Sequence, residues 1–399
     1  MRFLVLFLFQ LHAAVASPFP PPPQEDLTPG INHPIASSTA GTDSLAASAL
    51  EKWQAHQLKS NSSCTMANVA VRREWGDLPE RDRKAYTDAV LCLMAKPPRT
   101  DTTLVPGAKS RFDDFVWVHM NQTLVIHETA NFLMWHRYFL WAYEQALRNE
   151  CGYQGYHPYW NWGRWAADPA KSPVFDGSDF SFSGNGVYQN HSITLAPPGV
   201  DPILPAEGGG CLASGPFKDS KVNLGPVASN YNMTIPGPRE VVGNGTAYNP
   251  RCIKRDISTA VALRHSSDLN STNLIKDSLD IRTFQRKLGG EFSKGELGVH
   301  GGGHFTYVGD PAGDLAVSPG DPVFHAHHCQ VDRIWWIWQY QDIENRENSL
   351  DGTITMENKP PSRNGTLDDI VDLGVLAEAI LPLRSLTSTT GGPFCYIYK

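Results

Sequence analysis

The stretch Asp321-Pro322-Val323-Phe324-His325-Ala326-His327-His328-Cys329-Gln330-Val331-Asp332-Arg333-Ile334-Trp335-Trp336-Ile337-Trp338 decides the fold. Asp321 is a good N-cap and Pro322 suits a first helical turn, so the run predicts a long buried helix reaching about Asn345. That helix carries three histidines. A second strong pattern lies upstream. Over Asn131 to Asn149 the residues Phe132, Trp135, Phe139, Ala142, Ala146 and Leu147 recur at helical spacing and make one apolar stripe, with His136 on the same helix. Weaker helical patterns cover Leu45 to Lys59, Glu80 to Met94, 256–265 and 278–288. Residues 166–252, rich in Gly, Pro, Ser and Asn, predict long irregular loops with few short strands. The expected class is mainly α: an antiparallel helix bundle with irregular loops.

Histidine placement is the unusual feature of an otherwise ordinary composition. Of 14 His in 399 residues, eight fall within 119–136 and 300–328. The first cluster is His119, His127 and His136; His119 ends the short segment Phe115-Val116-Trp117-Val118, and His127 stands in a connecting stretch. The second is His300-Gly-Gly-Gly-His304 with His325, His327 and His328. His300 and His304 at i, i+4 share one face, although three glycines make a poor autonomous helix that packing must hold. A lone buried His is most often a packed core residue, and His33, His56, His157, His191 and His265 are read that way. Six failing together is a different matter. With 34 basic against 41 acidic side chains and a net charge of −7, nucleic-acid binding is not expected.

The ligand type narrows the ion. Hydrolytic zinc sites usually mix His with carboxylate or Cys, and non-haem iron asks for two His and a carboxylate. Neither cluster has Asp or Glu at ligand spacing. Two all-imidazole sites suit a pair of copper ions with room for O2 between them. Zinc on three His remains open chemically, but does not explain why such a site occurs twice.

The compartment follows from the N-terminus. Arg2, the apolar run Phe3 to Val15 and Ala14-Val15-Ala16 predict a signal peptide over 1–16, followed by a Pro-rich leader over 17–45 and one catalytic domain over 46–399. The apolar run is shorter than the roughly 20 residues a membrane span needs. A secreted protein outside the membrane is expected. Sequons at Asn61, Asn121, Asn190, Asn232, Asn244, Asn270 and Asn364 agree with a glycoprotein. Seven Cys are an odd number; Cys329, inside the His-rich helix, is the candidate free thiol, and Cys64 with Cys92 is the pairing suggested by chain proximity.

At these residues the chain resembles the tyrosinase, catechol oxidase and haemocyanin family of binuclear copper proteins, and in particular its short secreted fungal catechol oxidases. The resemblance rests on Phe132-Leu133-Met134-Trp135-His136-Arg137, Pro158-Tyr159-Trp160-Asn161-Trp162, the quoted helix and a terminal Tyr396-Ile397-Tyr398. It implies one copper on His119, His127 and His136 and a second on His300, His304 and His328, with His327 packing beside them. Asp332 would orient a ligand or an Arg by a hydrogen bond, or else form a surface ion pair to Arg137 or Arg333. The family's thioether Cys position is Val125 here. Gly301 stands where monophenol-hydroxylating members carry Asn, and Leu315 where plant enzymes carry a gating Phe. Glu296, with Glu291 as a weaker candidate, matches a water-holding Glu, the expected proton acceptor. Phe324, Leu315 and Trp135 would form the apolar shell over the coppers. The implied reaction is oxidation of o-diphenols to o-quinones with O2, with o-aminophenols as further substrates and monophenols weakly. A tyrosinase with full monophenol hydroxylation is the alternative, and reversible, haemocyanin-like oxygen binding the alternative of another class. With Tyr398 one residue from the end, no C-terminal shielding domain is expected.

Overall fold

The computed structural model describes residues 36–58, 62–191, 196–227 and 244–399. The predicted signal peptide and most of the Pro-rich leader lie outside them, as do Asn61 and Asn232. Ten helices occur among the described residues: α1 Ala40–Gln57, α2 Glu80–Ala95, α3 Arg111–Ile126, α4 Phe132–Cys151, α5 Thr259–His265, α6 Asp268–Asp277, α7 Ile281–Gly289, α8 Gly298–Thr306, α9 Val323–Gln341 and α10 Ile343–Arg346. The leader therefore gives way earlier than expected, because α1 starts at Ala40. Its Gly41 and Thr42 amides are held by the Asp268 carboxylate of α6.

The helix α9 is the axis of the bundle, packing against α1, α4, α6 and α8. Every side chain from Val323 to Tyr340 is buried. A helix apolar or aromatic on all sides has to sit in the middle of a core, and Trp335, Trp336, Ile337 and Trp338 leave it no solvent face. At its start the Asp321 carboxylate accepts from the Val323 amide at 3.0 Å and also grips Arg255 at 2.7 and 2.8 Å. The helix α4 ends at Gly152, whose φ of 71° is the left-handed conformation glycine adopts freely.

The chief departure from the sequence reading is α3. His119 does not end a short segment but sits in the middle of a 16-residue helix. The apolar, β-branched run Phe115 to Val118 obscures the pattern. The signal that reveals it is a capping box, in which Ser110 and Asp113 exchange side-chain and backbone hydrogen bonds. The helix α6, also unpredicted, has a capping box of the same kind between Ser267 and Asn270.

Strands are two to four residues long and occur in pairs. The pair that matters for the core is parallel, β1 Ala70–Arg72 against Tyr396–Tyr398, with Ala70 opposite Tyr396 and Arg72 opposite Tyr398. Beside it the disulfide Cys64–Cys395 closes a loop of 331 residues. The other bridges are Cys92–Cys151 and Cys211–Cys252, so the pairing of Cys64 with Cys92 is wrong. Chain proximity misled, because Cys92 on α2 faces the end of α4 while Cys64 meets the returning C-terminal strand. Cys329 is free and buried as expected; burial pushes its thiol up to about 12. No helix among the described residues is long and apolar enough to cross a membrane.

Candidate metal centre

Two groups of imidazoles meet in the core. His119 from α3, His127 just after it and His136 from α4 form one group, and His300 and His304 from α8 with His327 and His328 from α9 form the other. Within each group the ligand-capable atoms all lie within 4.8 Å of one another. Neither group contains a carboxylate.

The first group is oriented by backbone. Nδ1 of His119 lies 2.9 Å from the Ala316 carbonyl, that of His127 2.9 Å from Thr123, and that of His136 2.8 Å from Phe132. A carbonyl only accepts, so each Nδ1 carries the proton and each Nε2 keeps its lone pair. Buried Nε2 atoms of His119 and His136 have no hydrogen-bond partner within the protein. Such a group costs about 1–3 kcal/mol unless something satisfies it, and a metal ion held by imidazoles does so.

In the second group, Nε2 of His304 lies 3.1 Å from Nε2 of His328. The ring of His328 also stacks on His136 across the gap between groups, with centroids 4.6 Å apart. His327, although its nitrogen is within reach of the second group, stands apart from the first group. It lies parallel to His300 at 5.8 Å, beside Trp162 at 5.2 Å, over the bare backbone of Gly303, where a Cβ would come within 2.1 Å of its ring. His328 therefore faces the first group, and His327 packs behind.

Burial disfavours the charged form of all seven rings. It lowers His127 to about 4 and His327 to about 3, and the rest well below the ordinary imidazole value, with mutual repulsion among the rings adding to burial in the rest. Neutral imidazole is the ligating form. Three-nitrogen sites without oxygen donors fit copper, the ion expected from the ligand chemistry.

Above the two groups opens a cavity of about 370 Å³, lined by His127, His300 and His304 at its base and by Phe132, Leu315, Phe305 and Gly301 among its walls. Phe132 touches both groups, 4.8 Å from His136 and 5.1 Å from His300. Phe324 is fully buried, stacks on His328 at 4.1 Å and does not line the cavity, which corrects its expected place in the shell. Trp135 likewise stacks on Phe139 and donates to Gln122. Glu296 is not brought to the centre. Its carboxylate is half exposed, lies 3.4 Å from His265 Nδ1, and is absent from the cavity wall. The left-handed Gly295 and the bridge between Glu291 and Glu296 turn it away. Glu291 pairs with Arg286 and Lys294. Charged residues that do line the cavity, Glu128, Arg282, Arg286 and Asp351, escaped the sequence reading; only the position of Glu128 next to His127 could have pointed to one of them.

Asp332 forms a buried ion pair, not a surface one. It holds Arg137 Nε at 2.7 Å and accepts from the Tyr396 and Tyr398 hydroxyls at 2.6 and 2.5 Å. Arg137 follows His136, so this carboxylate on α9 fixes the α4 ligand helix. His325 belongs to neither group; it stacks on Tyr143 at 3.6 Å amid Phe112, Phe115 and Phe139.

Comparison with known proteins agrees with this geometry. Residues 109–341 match the common central domain of tyrosinase. The chain is 42% identical over 321 residues to tyrosinase-like protein orsC of Emericella nidulans, covering 77% of this chain and 84% of that one. It is 40% identical to tyrosinase P of Aspergillus terreus over 82% of this chain and 91% of the relative. It is 37% identical to N-acetyl-6-hydroxytryptophan oxidase ivoB of Emericella nidulans, over 84% and 94%. Its fold matches a polyphenol oxidase variant from Thermothelomyces thermophila with a TM-score of 0.83 and 39% identity, covering 92% of this chain and 99% of that one. The chain belongs to the tyrosinase family and is a type 3 copper phenol oxidase.

Proposed function

We propose that this chain is a secreted catechol oxidase, turning o-diphenols into o-quinones with O2, accepting o-aminophenols and acting weakly on monophenols. Copper A would sit on His119, His127 and His136, copper B on His300, His304 and His328. The observation that carries the reading is the apolar cavity opening directly over two all-imidazole groups. Bound copper would supply O2 binding and accept the two electrons of the diphenol. The chain does the rest. Carbonyls of Ala316, Thr123 and Phe132 hold the first three rings in register. Phe132, Phe305 and Leu315 exclude water around a substrate ring, and Gly301 leaves the base of the cavity without a side chain. A volume of about 370 Å³ is at the small end for ligand sites and suits a monocyclic phenol. The cavity's opening to solvent favours turnover over oxygen carriage.

Secretion rests on the predicted signal peptide, three disulfides and the exposure of Asn121, Asn190, Asn244 and Asn364, with Asn270 partly exposed. The test is copper analysis followed by O2 uptake with a catechol, an aminophenol and a monophenol in parallel. Two coppers per chain with catechol turnover exceeding monophenol turnover is expected. A two-copper preparation that consumes no O2 with any of the three would sink the reading.

A further inference from the structure

Charge in the cavity is unevenly compensated. Arg282 and Asp351 neutralise each other through two hydrogen bonds of 2.9 and 2.8 Å. Arg286 shares Glu291 with Lys294, so both cations are already paired with a carboxylate. Glu128 differs from all of them. It lines the cavity immediately after His127 and, among the described residues, has no ion-pair or hydrogen-bond partner. Lys359 attracts it, but pairs with Glu357 at 2.7 Å, itself a repelling neighbour. Glu128 is solvent-accessible and forms part of the cavity lining.

The backbone supplies an independent sign. Glu128 has φ of 51°, in the left-handed region that a non-glycine side chain occupies at a cost. Nothing the carboxylate touches within the protein repays that cost. Residues held so are found at ligand clamps, where the function is the compensation.

We propose that Glu128 is a specificity-determining residue, whose carboxylate selects o-diphenols and o-aminophenols bearing a protonated amine on the ring substituent. The inference rests on the copper phenol oxidase reading. A ring over the base of the cavity, beside His127, presents its substituent to the wall from which Glu128 projects. A cation there gains a partner for a carboxylate that has none within the protein, whereas an anion meets like charge.

The experiment compares kcat/KM for dopamine, 4-methylcatechol and 3,4-dihydroxyphenylacetate in the copper-loaded enzyme, in Glu128→Gln and in Glu128→Gly. The native enzyme should favour dopamine over the dihydroxyphenylacetate by about tenfold or more at low salt, with the ratio shrinking as salt rises. In both variants the ratio should fall to within about threefold. Glu128→Gly relieves the left-handed backbone, so it should keep or raise Tm while losing selectivity, which separates charge recognition from a structural role. Native enzyme without the preference, or variants that retain it, would overturn the proposal. Absence of turnover with all three catechols by the copper-loaded native enzyme would instead overturn the reading of the function.

Discussion

The two imidazole groups solve one problem by different means. In the first, each ring is fixed by a backbone carbonyl, two of them four residues earlier in the chain. Orientation there is local for His127 and His136, while His119 relies on Ala316, 197 residues on. In the second, Nδ1 of His304 and of His328 has no such partner; these two rings face one another, His327 leans on the His300 backbone and ring, and α8 itself contains three consecutive glycines. That group is held by what packs against it. A local arrangement should tolerate damage elsewhere, and a mutual one should not.

The strongest way to break the contrast is to remove the strut joining the two halves. Asp332→Ala leaves Arg137 buried without its partner carboxylate and frees two tyrosine hydroxyls, so it should cost about 3–5 kcal/mol. Denaturant unfolding of the copper-free protein measures it, and a loss below about 1 kcal/mol would mean that the pair contributes no cohesion.

Next come the ligands. Outer partners of metal ligands typically matter by about 10–100-fold, so loss of a ligand should reduce turnover by at least about a hundredfold in either group. Copper content should tell the groups apart. His119→Ala leaves the second group intact and should retain about one copper per chain. His328→Ala removes the ring that faces His304 and stacks on His136, so its copper should fall below that of His119→Ala. Equal copper in the two variants would erase the distinction.

The glycines of α8 give a finer test. Gly303 lies under His327, where a Cβ would meet the ring at 2.1 Å, whereas one on Gly301 would meet only Leu297, its Cβ at 3.3 Å and its Cδ2 at 3.8 Å. Gly303→Ala should therefore destabilise by about 1–3 kcal/mol through overpacking. Gly301→Ala should be neutral or gain up to about 1 kcal/mol from helix propensity, offset by the small shift it asks of Leu297. Thermal unfolding of both variants decides it.

How far the sequence could be read follows the same division. The helices α4 and α9 were legible because their stripes and caps are local, and the histidines because they cluster in the chain. The turn that carries His300 and His304 was legible only as an expectation that packing must make it helical, which α8 fulfils. What escaped is mostly set by distant chain. Cys64 meets Cys395 across 331 residues, and Phe324 sits beneath the ligands because α9 is buried all round; Glu296 escaped for a local reason, the bridge to Glu291 that turns it away. The helix α3 is a second exception, since its capping box was in plain view while its β-branched residues argued against it.

The smallest expected effect separates metal ligation from the titration of the core. His157 is in neither group; it is buried beside Tyr86 and Tyr143, its backbone amide donates to Glu144, and burial lowers it to about 3, with the Arg72 guanidinium acting in the same direction. The unfolded chain binds a proton at this residue below about pH 6.5 and the folded protein does not, so stability falls as pH falls through that window and levels only near the folded value. The slope is about 1.4 kcal/mol per pH unit for each such ring. Copper-free protein, in which the ligand rings titrate alike, should therefore lose stability steeply from pH 6.5 downward. His157→Gln should reduce that slope by one proton whatever its effect on stability at neutral pH. Unfolding midpoints at pH 7, 6 and 5 with m-values held in common give the slope, and identical slopes in the two proteins would mean that His157 takes up its proton without unfolding.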